Sequence, residues 1–260
     1  MTLRMLTFNL LGCRGFPRDA GGPVAFPEVQ PGLLAALADR LAAWRVDIAI
    51  LQETPPEPAV REVARLAGLQ AAYFPAQATA GADWPFGFPG AVLARVPLHD
   101  VRDRAAAVRT AGDARFHRHW GTVTAMVAGT PLRLAGTHLC ADWGGVDREA
   151  TRLAELDAVL AAEAVDLVAG DFNSRPGAAP PARMRAAGWR DAWLEGGGAG
   201  DGLTSDTRQR IQRIDYLWLA AGAPWRVRTV RVVDDLLVRV DGGEVLLSDH
   251  FPVLAELERA

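Results

Sequence analysis

The 260-residue sequence contains no lysine, and all 28 of its basic residues are arginine. Phosphate loops that depend on a lysine are thereby excluded, so the glycine run "EGGGAGDG" at 195–202 reads as a flexible loop. The only two cysteines, Cys13 and Cys140, make no framework and read as free thiols. No segment is long and apolar enough to span a bilayer. The opening "MTLRMLTFNLLG" lacks the basic-then-apolar order of a secretion signal, so cytoplasmic placement is the expectation. Positive charge is in short supply as well: 31 acidic residues face 28 basic ones, for a formal charge of -3. The arginines are dispersed except at "RQRIQR", where Arg208, Arg210 and Arg213 read as a solvated edge. A grip on duplex nucleic acid needs clustered cations, so duplex is not the favoured substrate. Nothing in the sequence names a protein partner.

Hydrophobic residues are plentiful, at 50% of the chain, enough for one large core, and no composition shift marks a boundary. Residues 1–260 therefore read as a single domain. Strand-like stretches ("LRMLTFNLL", "VDIAILQE", "GAVLARVPL", "VDLVAGDFN", "RIDYLWLA") mix with amphipathic helices. In "GLLAALADRLAAWR" Leu33, Leu37, Leu41 and Trp44 form one stripe, "AVREVARLAG" closes at Gly68, and "DREATRLAELDAVLAA" is a further helix. "GTVTAMVAGTPLRLAGTHL" reads as a hairpin turning at Gly129-Thr130. Two long Gly/Pro-rich links, 14–32 and 75–90, are of the kind that carries function.

Several strands end on a polar residue. By the two-residue alternation Asp171 and Asn173 follow Leu167 and Ala169, Asn9 follows Leu3, Met5 and Thr7, Glu53 follows Ala49 and Leu51, and His138 follows Leu132 and Leu134. Asp215 shares a face with Leu217 and Leu219, and Asp249 and His250 precede the last strand. One such residue is usually a satisfied core polar group, but this many at one end of a core call for a ligand. Glu53, Asp171, Asp215 and Asp249, brought together, would raise one another's pKa steeply unless a cation intervened. Oxygen donors with little thiolate or imidazole suit Mg²⁺, Mn²⁺ or Ca²⁺ and argue against Zn²⁺.

The blocks "TFNLLG", "LQE", "GAVLARVPL", "THL", "GDFNSRPG", "RIDYLWL" and "SDHFPV", in this order from Thr7 to Val253, resemble the motif series of the endonuclease/exonuclease/phosphatase superfamily. The resemblance implies an α+β fold, a four-layer α/β/β/α sandwich of two mixed β-sheets. It implies Glu53 as principal ligand of Mg²⁺ or Mn²⁺ with Asn9 beside it, and Asp249 serving the metal or its water shell. Asp171 and Asn173 would position the attacking water and the phosphoryl oxygens. His250 would be general base or transition-state stabiliser, held by Asp215, and His138 would donate to the phosphate or leaving group. The favoured reading is a metal-dependent phosphodiesterase acting on a small or lipid-type phosphate ester. A nuclease is the alternative within the enzyme class, and a catalytically silent binding scaffold the alternative outside it. Superfamily membership fixes chemistry better than substrate.

Other residues carry weaker expectations. His117 and His119 in "RFHRHWG" have no third zinc-type ligand nearby and read as strand-edge or loop residues. Cys13 and Cys140 fall near the site rim, and Trp84 and Trp143 in loops at its mouth, where tryptophans stack on substrate or cap a core.

Overall fold

The computed structural model describes residues 2–19, 22–77, 86–110, 115–142, 145–162 and 164–260. One six-stranded sheet has the order β11-β14-β1-β2-β4-β3, formed by β1 (Thr2–Asn9), β2 (Ile48–Gln52), β3 (Gln70–Phe74), β4 (Gly90–Ala94), β11 (Trp225–Val232) and β14 (Val253–Arg259). The other has the order β5-β6-β7-β8-β10-β9, from β5 (Leu98–Asp103), β6 (Trp120–Val127), β7 (Thr130–His138), β8 (Leu167–Asp171), β9 (Arg190–Asp191) and β10 (Asp215–Leu219). Each is mixed: β1 and β2 run parallel, as do β7 and β8, while the remaining pairs are antiparallel.

The alternation of the strands builds the layers. Leu3, Met5, Ile48, Ile50 and Val92 of the first sheet meet Leu132, Leu134, Leu167, Ala169 and Leu217 of the second in one apolar seam. The opposite face of the first sheet, with Leu6, Phe8, Ala49 and Leu51, is covered by α1 (Pro31–Ala43) and α2 (Glu57–Ala67), and Leu33, Leu37, Leu41 and Trp44 form the expected stripe. On the far side α4 (Glu149–Ala161) and α5 (Ala179–Ala186) lay Leu156, Val159 and Met184 over Ala135, Val168 and Trp218. Each fully buried side chain of this size contributes roughly 1.5–3 kcal/mol. The result is the four-layer α/β/β/α sandwich. The short helices α3 (Arg104–Thr110) and α6 (Ala192–Glu195) and a hairpin of β12 (Leu237–Val240) and β13 (Gly243–Leu246) complete it.

Some local expectations are corrected. "GAVLARVPL" is not one strand: β4 stops at Ala94 and β5 starts at Leu98 in the other sheet. The hairpin turns at Ala128–Gly129, both at positive φ, one residue earlier than the spacing suggested. In "RQRIQR" residues 208–211 are exposed, as a solvated edge requires, and the exception is Arg213. Arg213 is buried in an ion pair with Asp191 at 2.7 Å, Arg208 pairs with Asp206 and stacks on Phe16, and Arg210 pairs with Asp234 and stacks on Phe251. Trp84 and Trp143 lie outside the described residues.

Gly170, one residue before Asp171, has φ of 151° and packs so tightly on β7 that a Cβ would penetrate the Thr137 carbonyl oxygen. Neither the backbone angle nor the backbone neighbour can give way cheaply. Gly170→Ala should therefore destabilise the fold by about 2 kcal/mol or more; a denaturation midpoint unchanged in urea would refute the close approach.

Candidate active site

The parallel pairs β1/β2 and β7/β8 bring four strand ends to one edge of the sandwich. In register, Asn9 lies beside Gln52, His138 beside Asp171, and Asp171 beside Asp215 at the start of antiparallel β10. Asn9, His138, Asp171 and Asp215 continue the inner-facing rows, as alternation required, and each is at most 2% exposed.

Asp171 sits at the centre. Its Oδ1 accepts the Asn173 backbone N–H at 2.8 Å and its Oδ2 the Asn9 Nδ2–H at 3.2 Å. His138 Nε2 is 3.3 Å and His250 Nε2 3.8 Å from the same Oδ2. Burial alone would push this carboxyl up, but the two imidazoles and the Asn173 N–H reverse that and hold it well below the usual range. His250 Nδ1 meets Asp215 Oδ2 at 2.9 Å. Burial would push its pKa down, yet Asp215, Asp249 and Asp171 together raise it well above the ordinary value, so it stands as an imidazolium between carboxylates. Ser248 orders the segment: its Oγ donates to the Asn9 carbonyl at 2.7 Å and accepts the His250 N–H at 3.2 Å. Asp171, Asp215 and His250 present ligand atoms within 4.8 Å of one another. Within this cluster the 2.9 Å Nδ1 contact ties His250 to Asp215.

Glu53 forms the other half. β2 ends at Gln52, and Glu53 has φ of 46°, so the chain leaves the strand alternation at that residue. The expectation that Glu53 continues the row of Ala49 and Leu51 is corrected, because those two side chains face α1 and α2. The left-handed backbone instead turns Glu53 towards Asn9 and Arg118, and the Gly12 N–H donates to its carbonyl at 2.8 Å. Asn173 behaves alike: β8 ends at Asp171, Asn173 has φ of 47°, and its Nδ2 donates to the Leu139 carbonyl at 2.9 Å. It reaches the site by an Asx turn on Asp171 and not by strand phase. Non-glycine residues at positive φ are uncommon and concentrate at functional sites.

Arg118 is the residue that the sequence reading missed. Its Nη1 is 3.3 Å from Glu53 Oε1 and packs against the His138 ring, while its guanidinium lies 4.3 Å from the centroid of Phe88. A usable signal existed: Trp120 pairs with Thr137, so the residues just before β6 must fall beside His138, and the His119 carbonyl does accept the His138 N–H at 3.1 Å. Of the flanking pair, His117 is exposed and contacts Gln77, and both lie in the loop before β6. His119 is buried and faces the bare backbone of Gly90, and burial with the nearby His138 pushes its pKa down to about 3. Cys13 and Cys140 are free thiols, and burial pushes Cys13 up to about 12.

The electrostatics divide the site. Burial and Arg118 push His138 down to about 4, against the pull of Asp171, so it is neutral. Burial pushes Glu53 up to about 7, opposed by Arg118, and raises Asp215 and Asp249, opposed in both by His250.

Strand-borne carboxylates, amides and imidazoles converging at one end of a β-sandwich define an α/β/β/α protein with a polar catalytic-type centre. The chain belongs to the endonuclease/exonuclease/phosphatase family, whose model matches residues 6–250. Members of that family are hydrolases acting on phosphoesters and generally depend on a divalent metal. Among solved structures the chain is similar to an endonuclease/exonuclease/phosphatase from Bacteroides vulgatus (16% identity, 100% of each chain, TM-score 0.71). It is also similar to the mannosyl-6-phosphatase Bt3783 of Bacteroides thetaiotaomicron (16% identity, 98% of this chain and 99% of that one, TM-score 0.71). A third is D. rerio TDP2 complexed with a single-strand DNA product (18% identity, 99% of each chain, TM-score 0.66). At these identities the likeness is one of fold. Comparison with curated proteins gave no match.

The raised Glu53 carboxyl has a direct consequence for the protein alone. Between its ordinary 4.5 and about 7 the folded chain keeps a proton that the unfolded chain releases. This group's contribution is thus present below the lower value and lost as pH rises through the upper one. Urea unfolding at about pH 5 and about pH 8 should show a smaller loss in Glu53→Gln than in the wild type; equal losses would assign the titration elsewhere.

Proposed function

We propose that this protein is a Mg²⁺- or Mn²⁺-dependent phosphoesterase that hydrolyses a small phosphate ester, a diester before a monoester, by attack of water at phosphorus. The observation that supports this most is the charge count of the site. Glu53, Asp171, Asp215 and Asp249 would carry four negative charges when ionised, against two positive charges, on Arg118 and His250, with His138 neutral. The two negative charges left over match one divalent cation. The donors fit it chemically, since Glu53, Asp249 and the Asn9 Oδ1 are all hard oxygens. Glu53 would be the principal ligand with Asn9 and Asp249 beside it. When bound, such a cation polarises phosphoryl oxygens and lowers the pKa of water.

The chain's own residues supply the remainder. Asp171, ionised and fixed by four neighbours, orients the attacking water. One Nδ2 hydrogen of Asn173 is committed to Leu139, leaving the other for a phosphoryl oxygen. Of the two roles open to His250, the imidazolium state supports charge stabilisation of the phosphoryl oxygens, with Asp215 setting its orientation. Neutral His138 has one N–H, which Asp171 Oδ2 accepts from Nε2, so its part is to hold that carboxylate in place, and Arg118 stands ready to move from Glu53 to the phosphate. As the water oxygen bonds to phosphorus it gives up a proton to the ionised Asp171 carboxylate, the ester P–O bond breaks, and the departing oxygen takes a proton from solvent and leaves as the alcohol. The nuclease reading draws support from the single-strand DNA product in the D. rerio structure. It is weakened here by the pairing of Arg152, Arg190, Arg208, Arg210 and Arg213 with carboxylates, which reduces the cationic surface that the described residues offer a polyanion.

A panel of small diesters, monoesters, lipids and nucleic acids assayed with either metal tests the proposal. Chelation should abolish turnover and Mg²⁺ or Mn²⁺ restore it; full activity in excess chelator would overturn it. On the best substrate His250→Ala should lose about 10²- to 10⁴-fold in kcat with metal affinity retained, and Asp215→Asn less. Near wild-type turnover in His250→Ala would move that role to another residue.

A further inference from the structure

A cleft of about 420 Å³ adjoins the Glu53 side of the site. It begins at Gly12, whose N–H holds the Glu53 backbone carbonyl, and at Thr54, the next residue along, so the backbone that carries Glu53 forms one end of the cleft. Its sides are Pro27, Val29, Pro55, Pro56 and Phe86. Phe86 is 58% exposed, which places a phenyl face against solvent at the edge of an apolar hollow. Prolines and an aromatic ring give stiff, flat, hydrocarbon faces that lose little conformational entropy on contact. The charged lining residues, Arg14 and Glu28, are opposite in sign, and the Arg14 Nε donates to the Phe26 carbonyl at 3.1 Å. Across the ridge of Leu11 and Gly12 the surroundings change. A more open cleft of about 450 Å³ borders Asp249 and carries Arg208, held by Asp206 at 3.2 Å and stacked on Phe16. The two flanks of the site thus differ in polarity.

We propose that the Glu53-side cleft is the subsite for the alcohol portion of the ester, and that this portion is a compact, uncharged ring with apolar or aromatic faces. The inference rests on the phosphoesterase reading and narrows its substrate class. The volume is near the lower end of small-molecule sites, roughly 300–1,000 Å³, and accommodates a ring rather than paired acyl chains. The balanced charge of the lining offers nothing to a second phosphate, and the apolar walls offer hydrogen bonds to few hydroxyls.

Benzyl, ethyl and 4-carboxybenzyl phosphates, as monoesters and as methyl diesters, separate binding from reactivity because their alcohol leaving groups are of similar basicity. With Mg²⁺ or Mn²⁺ present, the benzyl ester should have a KM about tenfold below the ethyl ester at similar kcat, and the carboxylated ring should lose that advantage. Phe86→Ala should raise KM for the benzyl ester about fivefold and leave the ethyl ester unchanged, with Phe86→Trp retaining the preference. Equal KM values for benzyl and ethyl esters, or an identical effect of Phe86→Ala on both, would overturn the subsite while the phosphoesterase reading stood. Absence of turnover for every ester and both metals would overturn that reading and this inference with it.

Discussion

Asp171 keeps an ionised carboxylate where water is almost excluded, and the rest of the site is arranged around that fact. An isolated buried charge costs several kcal/mol, so its donors cannot be optional. They come from β1 through Asn9, from β7 through His138 and from the turn after β8 through the Asn173 N–H, while His250, from the segment before β14, adds a positive charge at 3.8 Å. Both sheets are therefore fastened at the same end by one side chain. A slip of one residue in β1, β7 or β8 would turn the polar row outwards and the apolar seam with it. The packing of the seam and the geometry of the site are one requirement satisfied by the same register.

The second constraint is charge. Around Asp171 the balance is internal, because an imidazolium sits between Asp171 and Asp215 and a neutral imidazole completes the shell. Around Glu53 it is not: burial dominates, and the Arg118 guanidinium that opposes it is shared with the His138 ring and the Phe88 face. The site has a settled half and an unsettled half. A cation would act on the unsettled half, since it would supply the countercharge that Arg118 gives Glu53 only in part.

How much of this was legible in the sequence follows from where each residue sits on the backbone. Asn9, His138, Asp171 and Asp215 are inside strands, so a two-residue period placed them correctly on the inner face. Glu53 and Asn173 are one and two residues beyond a strand end and both adopt positive φ, which no alternation foretells for Glu and which made the row "Asp171 and Asn173" right in membership but wrong in cause. Arg118 lies before β6, in a stretch judged by its histidines, and only the hairpin register could have brought it to His138. The arginine run is an exposed edge as read, except at the buried Arg213. Its partners Asp191, Asp206 and Asp234 are close in space but, except for Asp206, distant in sequence, so composition could not reveal that the charges were paired.

The same division separates chemistry from recognition. Groups that would act on phosphorus are held by strand ends and by turns tied to them, where a shift of an ångström breaks several hydrogen bonds at once. The walls of the Glu53-side cleft come from the segments after β1 and β2 and from the link before β4, which lie outside the sheets. Solved structures at 16–18% identity share the sandwich. Arginine used in place of lysine suits the settled parts of the molecule: its planar fork pairs with Asp191 and Glu195 in crowded places where a flexible ammonium would fit poorly. With those two cations committed to carboxylates inside the fold, the proposed alcohol subsite is left to apolar and mixed-charge loops, and selection there would fall to shape and desolvation more than to long-range attraction.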